Sequence, residues 1–229
     1  MNQPEISVVQ SGANRYGVLN ALVKSSGLSR LSVLEVGSFE GQSALIWSAA
    51  IAQHCSEGGM VLCVDPWSEE YLKKYLGQGA AYNTMAEGLR SGEVYRRFRQ
   101  NAELADMRVP IRHFQGTLKQ AVKILHSNTF DIIYLDGDHA LSAVREDIAL
   151  ARELVRVGGL LCGDDLEVQG GDCAWDAAMS IADQYDYIWG YHPGVTIAVW
   201  EAFGRVWSQQ GVWAVQKTAD NAWQPPAGV

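Results

Sequence analysis

Short apolar runs that alternate with helix-patterned stretches constrain this chain more than any other feature. Such alternation specifies strands buried on both faces and joined by helical crossovers, the signature of a mostly parallel sheet. The runs are Leu31-Ser32-Val33-Leu34-Glu35-Val36, Val61-Leu62-Cys63-Val64, Pro110-Ile111-Arg112-His113-Phe114-Gln115, Phe130-Asp131-Ile132-Ile133-Tyr134-Leu135 and Leu160-Leu161-Cys162-Gly163. Two late strands are expected over 196–200 and 212–215. Helical spacing predicts helices over 16–23, from about 42, near 95, and over 118–125, 140–155 and 173–185, with Gly158-Gly159 stopping the one that begins at Ala140.

The predicted fold class is α/β: a Rossmann-like, doubly wound, mostly parallel seven-stranded sheet with helices on both faces and the last strand antiparallel. With 229 residues and 48% hydrophobic composition, one domain over 1–229 is the expectation. Within it, 67–92 lacks a sustained period and reads as a lid or acceptor-facing insertion, and 218–229 as a loose C-terminal tail. A formal charge of -8 argues against binding nucleic acid, and Arg96, Arg97 and Arg99 read as a solvated helix face. The four cysteines form no C-x-x-C pair and read as reduced thiols. Residues 1–5 carry no basic leader and no long apolar segment follows, so a cytoplasmic protein without membrane contact is expected.

Chemistry-bearing residues fall at the carboxyl ends of the expected strands, where open parallel sheets bind ligands. Glu35-Val36-Gly37-Ser38-Phe39-Glu40-Gly41-Gln42-Ser43 allows a tight turn and a close backbone approach, and the following helix start can receive a carboxylate. It departs from G-x-G-x-x-G, and Glu40 would repel a pyrophosphate, which favours a ligand bearing an ammonium and a carboxylate over a dinucleotide. Asp65 can accept from both hydroxyls of a ribose, and Trp67 either covers the base or packs. Gly116-Thr117 ends the third strand as a further ligand contact or a simple turn. Asp136, Asp164 and Asp165 make an all-oxygen set suited to Mg²⁺ or Mn²⁺ rather than Zn²⁺, with helix caps and turns as the bland alternative. Asp138, just before a helix, reads as an N-cap or as a residue with a direct chemical role. His192-Pro193-Gly194, with Trp189 and Tyr191, reads as turn and core or as acceptor lining.

Through Leu34-Glu35-Val36-Gly37-Ser38-Phe39-Glu40-Gly41 and Val64-Asp65-Pro66-Trp67 the sequence resembles class I S-adenosylmethionine-dependent methyltransferases. Through Tyr134-Leu135-Asp136-Gly137-Asp138-His139 and Gly158-Gly159-Leu160-Leu161-Cys162-Gly163-Asp164-Asp165 it is similar to the metal-dependent sugar O-methyltransferases of the macrocin and mycinamicin type and their cephalosporin-hydroxylase-like relatives. The resemblance implies S-adenosylmethionine held by Glu35, Gly37, Ser38, Gly41, Ser43, Asp65, Trp67, Gly116, Thr117 and Asp136. It implies Mg²⁺ or Mn²⁺ on Asp136, Asp164 and Asp165, and His139 as the catalytic base.

The expected activity is methyl transfer to a hydroxyl of a small-molecule acceptor, a sugar of a glycosylated natural product, with a catechol as rival acceptor. Trp67, Tyr71, Tyr75 and Tyr82 would stack on either. A non-catalytic cofactor-binding member of the fold and a nicotinamide-dependent dehydrogenase are the competing classes. Self-association is left open.

Overall fold

The computed structural model describes residues 15–219 and 222–229. Residues 1–14, on which the expectation of no leader partly rests, and 220–221 lie outside the described residues. The chain resolves into two compact units that divide after Thr117.

In the first unit, α1 (Tyr16–Ser26), β1 (Leu31–Val36), α2 (Gln42–His54), β2 (Gly59–Asp65), a 3-10 helix (Glu69–Tyr75), α3 (Ala80–Arg90), α4 (Glu93–Ala102) and β3 (Ile111–Gln115) follow in order. Every residue of β1 except Ser32 is buried, as expected of a strand covered on both faces. β2 runs parallel to β1 with Val36 opposite Val64, and β3 runs parallel to β2 with Asp65 opposite Gln115. This register brings the carboxyl ends of all three strands level. α2 seats Ala44, Trp47, Ala50 and Ile51 at helical spacing in the core. The stretch expected as a lid folds as the 3-10 helix and α3, with Tyr75 buried against Tyr82 and Tyr71 exposed.

The second unit holds α5 (Leu118–Ala121), β4 (Phe130–Leu135), α6 (Leu141–Leu154), β5 (Val155–Gly163), α7 (Trp175–Ile181), α8 (Pro193–Phe203), β6 (Trp207–Gln209), β7 (Val212–Ala219) and β8 (Ala222–Gln224). β4 and β5 are parallel with Leu135 opposite Gly163, and β7 is antiparallel to β5. β6 and β8 both pair antiparallel with β7, along Val212–Ala214 and Gln216–Ala219. The fold is α/β and Rossmann-like, parallel strands first and antiparallel strands last.

Four expectations are corrected. The described residues form eight strands, of which three late ones are antiparallel. The run Thr196-Ile197-Ala198-Val199-Trp200 is helical, because Pro193 occupies the first turn of α8 with its φ already set and nearly every side chain of the helix's first two turns is buried. β-Branched residues favour strands only weakly against such packing. Gly158-Gly159 does not stop α6, which ends at Leu154; the pair lies inside β5. Part of the tail expected to be loose is β8.

Candidate active site

In the first unit the loop after β1 is held by a carboxylate. Gly37 and Gly41 have φ of 83° and 86°, and Phe39 between them has 47°, so three of five successive residues turn left-handed. The Ser38 and Phe39 backbone N–H groups each donate to Asp65 Oδ2 at 2.9 Å, and Trp67 N–H donates to Oδ1 at 2.6 Å. Burial pushes the Asp65 carboxyl up, against these three N–H groups that favour its charged form. Asp65 therefore clamps the loop, and part of the acceptor capacity expected to serve a ribose is already committed.

Glu35 is fully buried at the end of β1, where Ser43 Oγ donates to its Oε1 and Cys63 Sγ lies 3.6 Å from Oε2. Gly116 N–H donates to Asp65 O at 2.9 Å, so Glu35, Gly37, Ser38, Gly41, Ser43, Asp65 and Gly116 gather at one end of the three strands, with Thr117 following directly.

Two readings change here. Trp67, with φ 44°, is 5% exposed, donates its indole N–H to Phe39 O at 2.8 Å and packs on Phe98 at 4.5 Å and Tyr95 at 4.9 Å between ring centres. Of its two readings, the packing one describes this geometry. Arg97 is no solvated bystander: its guanidinium reaches the buried Glu40 carboxylate at 3.0 Å, and Asn101 donates to Glu40 O at 2.8 Å. Glu40 is thus neutralised by α4, and the repulsion invoked against a pyrophosphate loses its force.

In the second unit Asp136 and Asp164 follow paired strand ends, and Asp164 N–H donates to Leu135 O at 3.0 Å. One oxygen from each of Asp136, Asp164 and Asp165 lies within 4.8 Å of the others. Successive side chains of an extended strand point to opposite faces, but Asp165 is left-handed at φ 62°, which lets two neighbouring carboxylates serve one group. Three hard oxygens on two adjacent strand ends fit Mg²⁺ or Mn²⁺.

His139 joins this group. Its Nε2 lies 3.1 Å from Asp165 Oδ2 and its Nδ1 2.9 Å from Asp186 Oδ1. Burial works to lower its pKa, but Asp165, Asp186 and Asp136 outweigh it and hold the imidazole protonated, up to about 10. Asp138 is not the N-cap of α6, a position that Ala140 holds; it accepts from Ala140 N–H at 3.0 Å and so ties down the turn that leads into the helix.

Sequence reasoning missed Asp186, Glu167 and the placement of His192. The His192 ring stands 4.7 Å from that of His139, edge to face. Its Nδ1 donates to Glu167 Oε1 at 2.9 Å and its backbone N–H to Oε2 at 3.1 Å. The signal for His192 was present: a residue directly before proline at a helix start is an N-cap position. Asp186 and Glu167 sit in irregular segments with no pattern to announce them.

Among solved structures, one from Klebsiella pneumoniae provisionally assigned as an O-methyltransferase matches with a TM-score of 0.53 and 19% identity, over 93% of this chain and 84% of that one. The cofactor-bound protein Rv0187 from MTB matches with a TM-score of 0.52 and 15% identity, over 94% and 84%. The apo structure of a TDP-rhamnose 3'-O-methyltransferase of calicheamicin biosynthesis matches with a TM-score of 0.50 and 11% identity, over 88% and 77%. These likenesses concern the fold. No curated protein sequence matches the chain significantly. No helix of the described residues is long and apolar enough to cross a membrane. The family model for a methyltransferase domain matches residues 34–166, from the β1 glycine loop through the Asp164-Asp165 pair and over more than half of the sequence, and the chain belongs to that methyltransferase family.

Proposed function

We propose that the chain transfers a methyl group from S-adenosylmethionine to a hydroxyl oxygen of a small molecule, assisted by Mg²⁺ or Mn²⁺ on Asp136, Asp164 and Asp165. The observation that carries the reading is the convergence of those three carboxylates within 4.8 Å, with His139 Nε2 at 3.1 Å from Asp165. The nucleoside belongs with Glu35, the glycine loop, Asp65 and Gly116-Thr117, residues held at one end of β1, β2 and β3.

Methyl transfer from a sulfonium requires sulfur, carbon and acceptor oxygen nearly in line, so orientation carries much of the rate. When bound, a hard dication supplies Lewis acidity to an acceptor hydroxyl and positive charge beside the three carboxylates. Asp165, Asp186 and Asp136 hold His139 protonated, so a cation held by Asp136, Asp164 and Asp165 would offset part of that charge and favour the neutral imidazole, whose Nε2 would then accept the proton of the acceptor hydroxyl. Asp186, on Nδ1, fixes the ring and its tautomer. An acceptor with two adjacent oxygens suits an all-oxygen cation site, and together with the sequence resemblance this favours a sugar diol.

The test is transfer of labelled methyl from S-adenosylmethionine to glycosylated acceptors and to catechols, with Mg²⁺ and with EDTA. Sugar labelling that needs the cation and falls at least about a hundredfold in His139→Ala is expected. Labelling of catechols alone moves the substrate class, and cation-independent labelling removes the metal from the reading.

A further inference from the structure

Asp165 belongs to two donor sets. One is the carboxylate trio; the other joins it to one nitrogen each of His139 and His192, all within 4.8 Å of one another. We propose that His139, Asp165 and His192 form a second metal site, for Zn²⁺ or a chemically similar transition-metal dication, whose occupation excludes Mg²⁺ because both sets need Asp165.

The donor chemistry separates the two cations. Two imidazoles and a carboxylate match Zn²⁺, which takes nitrogen ligands readily and is content with three protein ligands and an open position. Mg²⁺ prefers oxygen and near-octahedral geometry, which the carboxylate trio offers. Nitrogen-rich sites also bind later first-row metals more tightly than early ones, so Zn²⁺ at low concentration competes with abundant Mg²⁺.

The surroundings are those of a metal-binding histidine pair. His139 Nδ1 is 2.9 Å from Asp186 while its Nε2 faces Asp165 at 3.1 Å, the position from which a carboxylate orients a ligating imidazole and raises its basicity. His192 Nδ1 lies between Glu167 at 2.9 Å and Asp165 Oδ1 at 3.9 Å, so Glu167 fixes where that ring stands. The Glu167 contact is reinforced by the His192 backbone N–H on its other oxygen at 3.1 Å. Rigid elements deliver both rings: His139 stands just before α6, and His192 occupies the N-cap position of α8. The two helix starts are pressed together at Gly194, where a Cβ would lie 2.1 Å from His139 O.

The consequence for turnover rests on the proposed methyl transfer: a dication on His139 occupies the atom that would take the acceptor's proton. Zn²⁺ is then an inhibitor that excess Mg²⁺ relieves.

The site is tested without turnover by titrating metal-stripped protein with Co²⁺, whose visible absorption reports nitrogen ligation, and displacing it with Zn²⁺. Expected are a Co²⁺ spectrum in the parent protein and in Asp136→Asn, and Zn²⁺ affinity lowered more than about tenfold in His192→Gln and about 10–100-fold in Glu167→Gln. Asp136→Asn weakens Mn²⁺ binding, followed by electron paramagnetic resonance, while sparing Zn²⁺. Melting curves confirm that each variant folds, and Glu167→Gln carries the decision if His192→Gln does not. Absence of a Co²⁺ spectrum, or Zn²⁺ affinity unchanged in the folded variants, overturns the site. Zn²⁺ binding as described in a protein that methylates nothing overturns the proposed activity and leaves the site standing.

Discussion

Asp147 shows how one residue sets a pH dependence apart from the site. Burial in α6, with the charges of Glu146 and Asp138 nearby, lifts its carboxyl from the usual range to about 7. A raised carboxyl stabilises the fold fully below its unfolded value of about 3.9, and that contribution is lost as pH rises through the folded value. Asp147→Asn should therefore raise stability in urea at pH 8 and leave it little changed near pH 4. The shift alone would correspond to about 4 kcal/mol. Asp147 keeps part of its surface in water, so roughly 1 kcal/mol is the expected gain. An equal gain at both pH values would contradict the assignment. At this scale the sequence was legible for Asp136, Asp164, Asp165 and His139, which the structure groups in one unit. It was not legible for Asp186, whose partner His139 is 47 positions away and whose flanking residues carry no period.

Elements end where tertiary partners allow. The end of α6 is stabilised by Lys217 of β7, whose buried ammonium donates to Arg152 O and Val155 O, both at 2.9 Å, and to Asn128 Oδ1 at 3.1 Å. A cation on the last carbonyls of a helix also opposes its dipole. Lys217→Met should cost about 1–3 kcal/mol in chemical denaturation, since it strands the buried Val155 carbonyl. α6 ends within one residue of its expected end at Val155, but without the expected help of Gly158-Gly159, which lie inside β5: a glycine is a stop signal only if nothing closes the helix earlier. β1 and β4 coincided with their apolar runs because both are buried over almost their whole length, so composition and structure carry one message. α8 did not, because its burial masks the period on which sequence reading depends. Gly194→Ala at its start should be felt at the opposite backbone, since the added Cβ would meet His139 O at 2.1 Å and Leu141 N at 2.5 Å. Turnover should fall, with a loss beyond the roughly 1–3 kcal/mol of ordinary overpacking, while the dissociation constant for S-adenosylhomocysteine stays within about twofold. A lost cofactor affinity with normal turnover would show the reverse coupling.

For the whole molecule, the fold class was legible because alternation of buried runs and helices admits few other solutions, and the late antiparallel strands were the part that blurred. Strands as short as β6 and β8, three residues each, are set by what β7 offers along its edge rather than by their own residues. If S-adenosylhomocysteine binds the native chain alone, a concentration a hundredfold above its dissociation constant stabilises it by about 2.7 kcal/mol. For a chain of this size that corresponds to a melting shift of roughly 5–10 °C, readable by calorimetry. No shift would remove the nucleoside from the first unit's strand-end loops.

Asp165 sits at φ 62°, a conformation that asparagine and glycine tolerate and most residues resist. A saturation scan there would measure two properties at once, since nearly all replacements add a conformational penalty of roughly 1–2 kcal/mol to the loss of the proposed ligand. Asparagine alone keeps both shape and backbone preference while deleting the charge. If the proposed metal dependence holds, a lineage that drifted away from it would have its easiest first step at this codon, and an asparagine there in a related chain would be the trace of that passage.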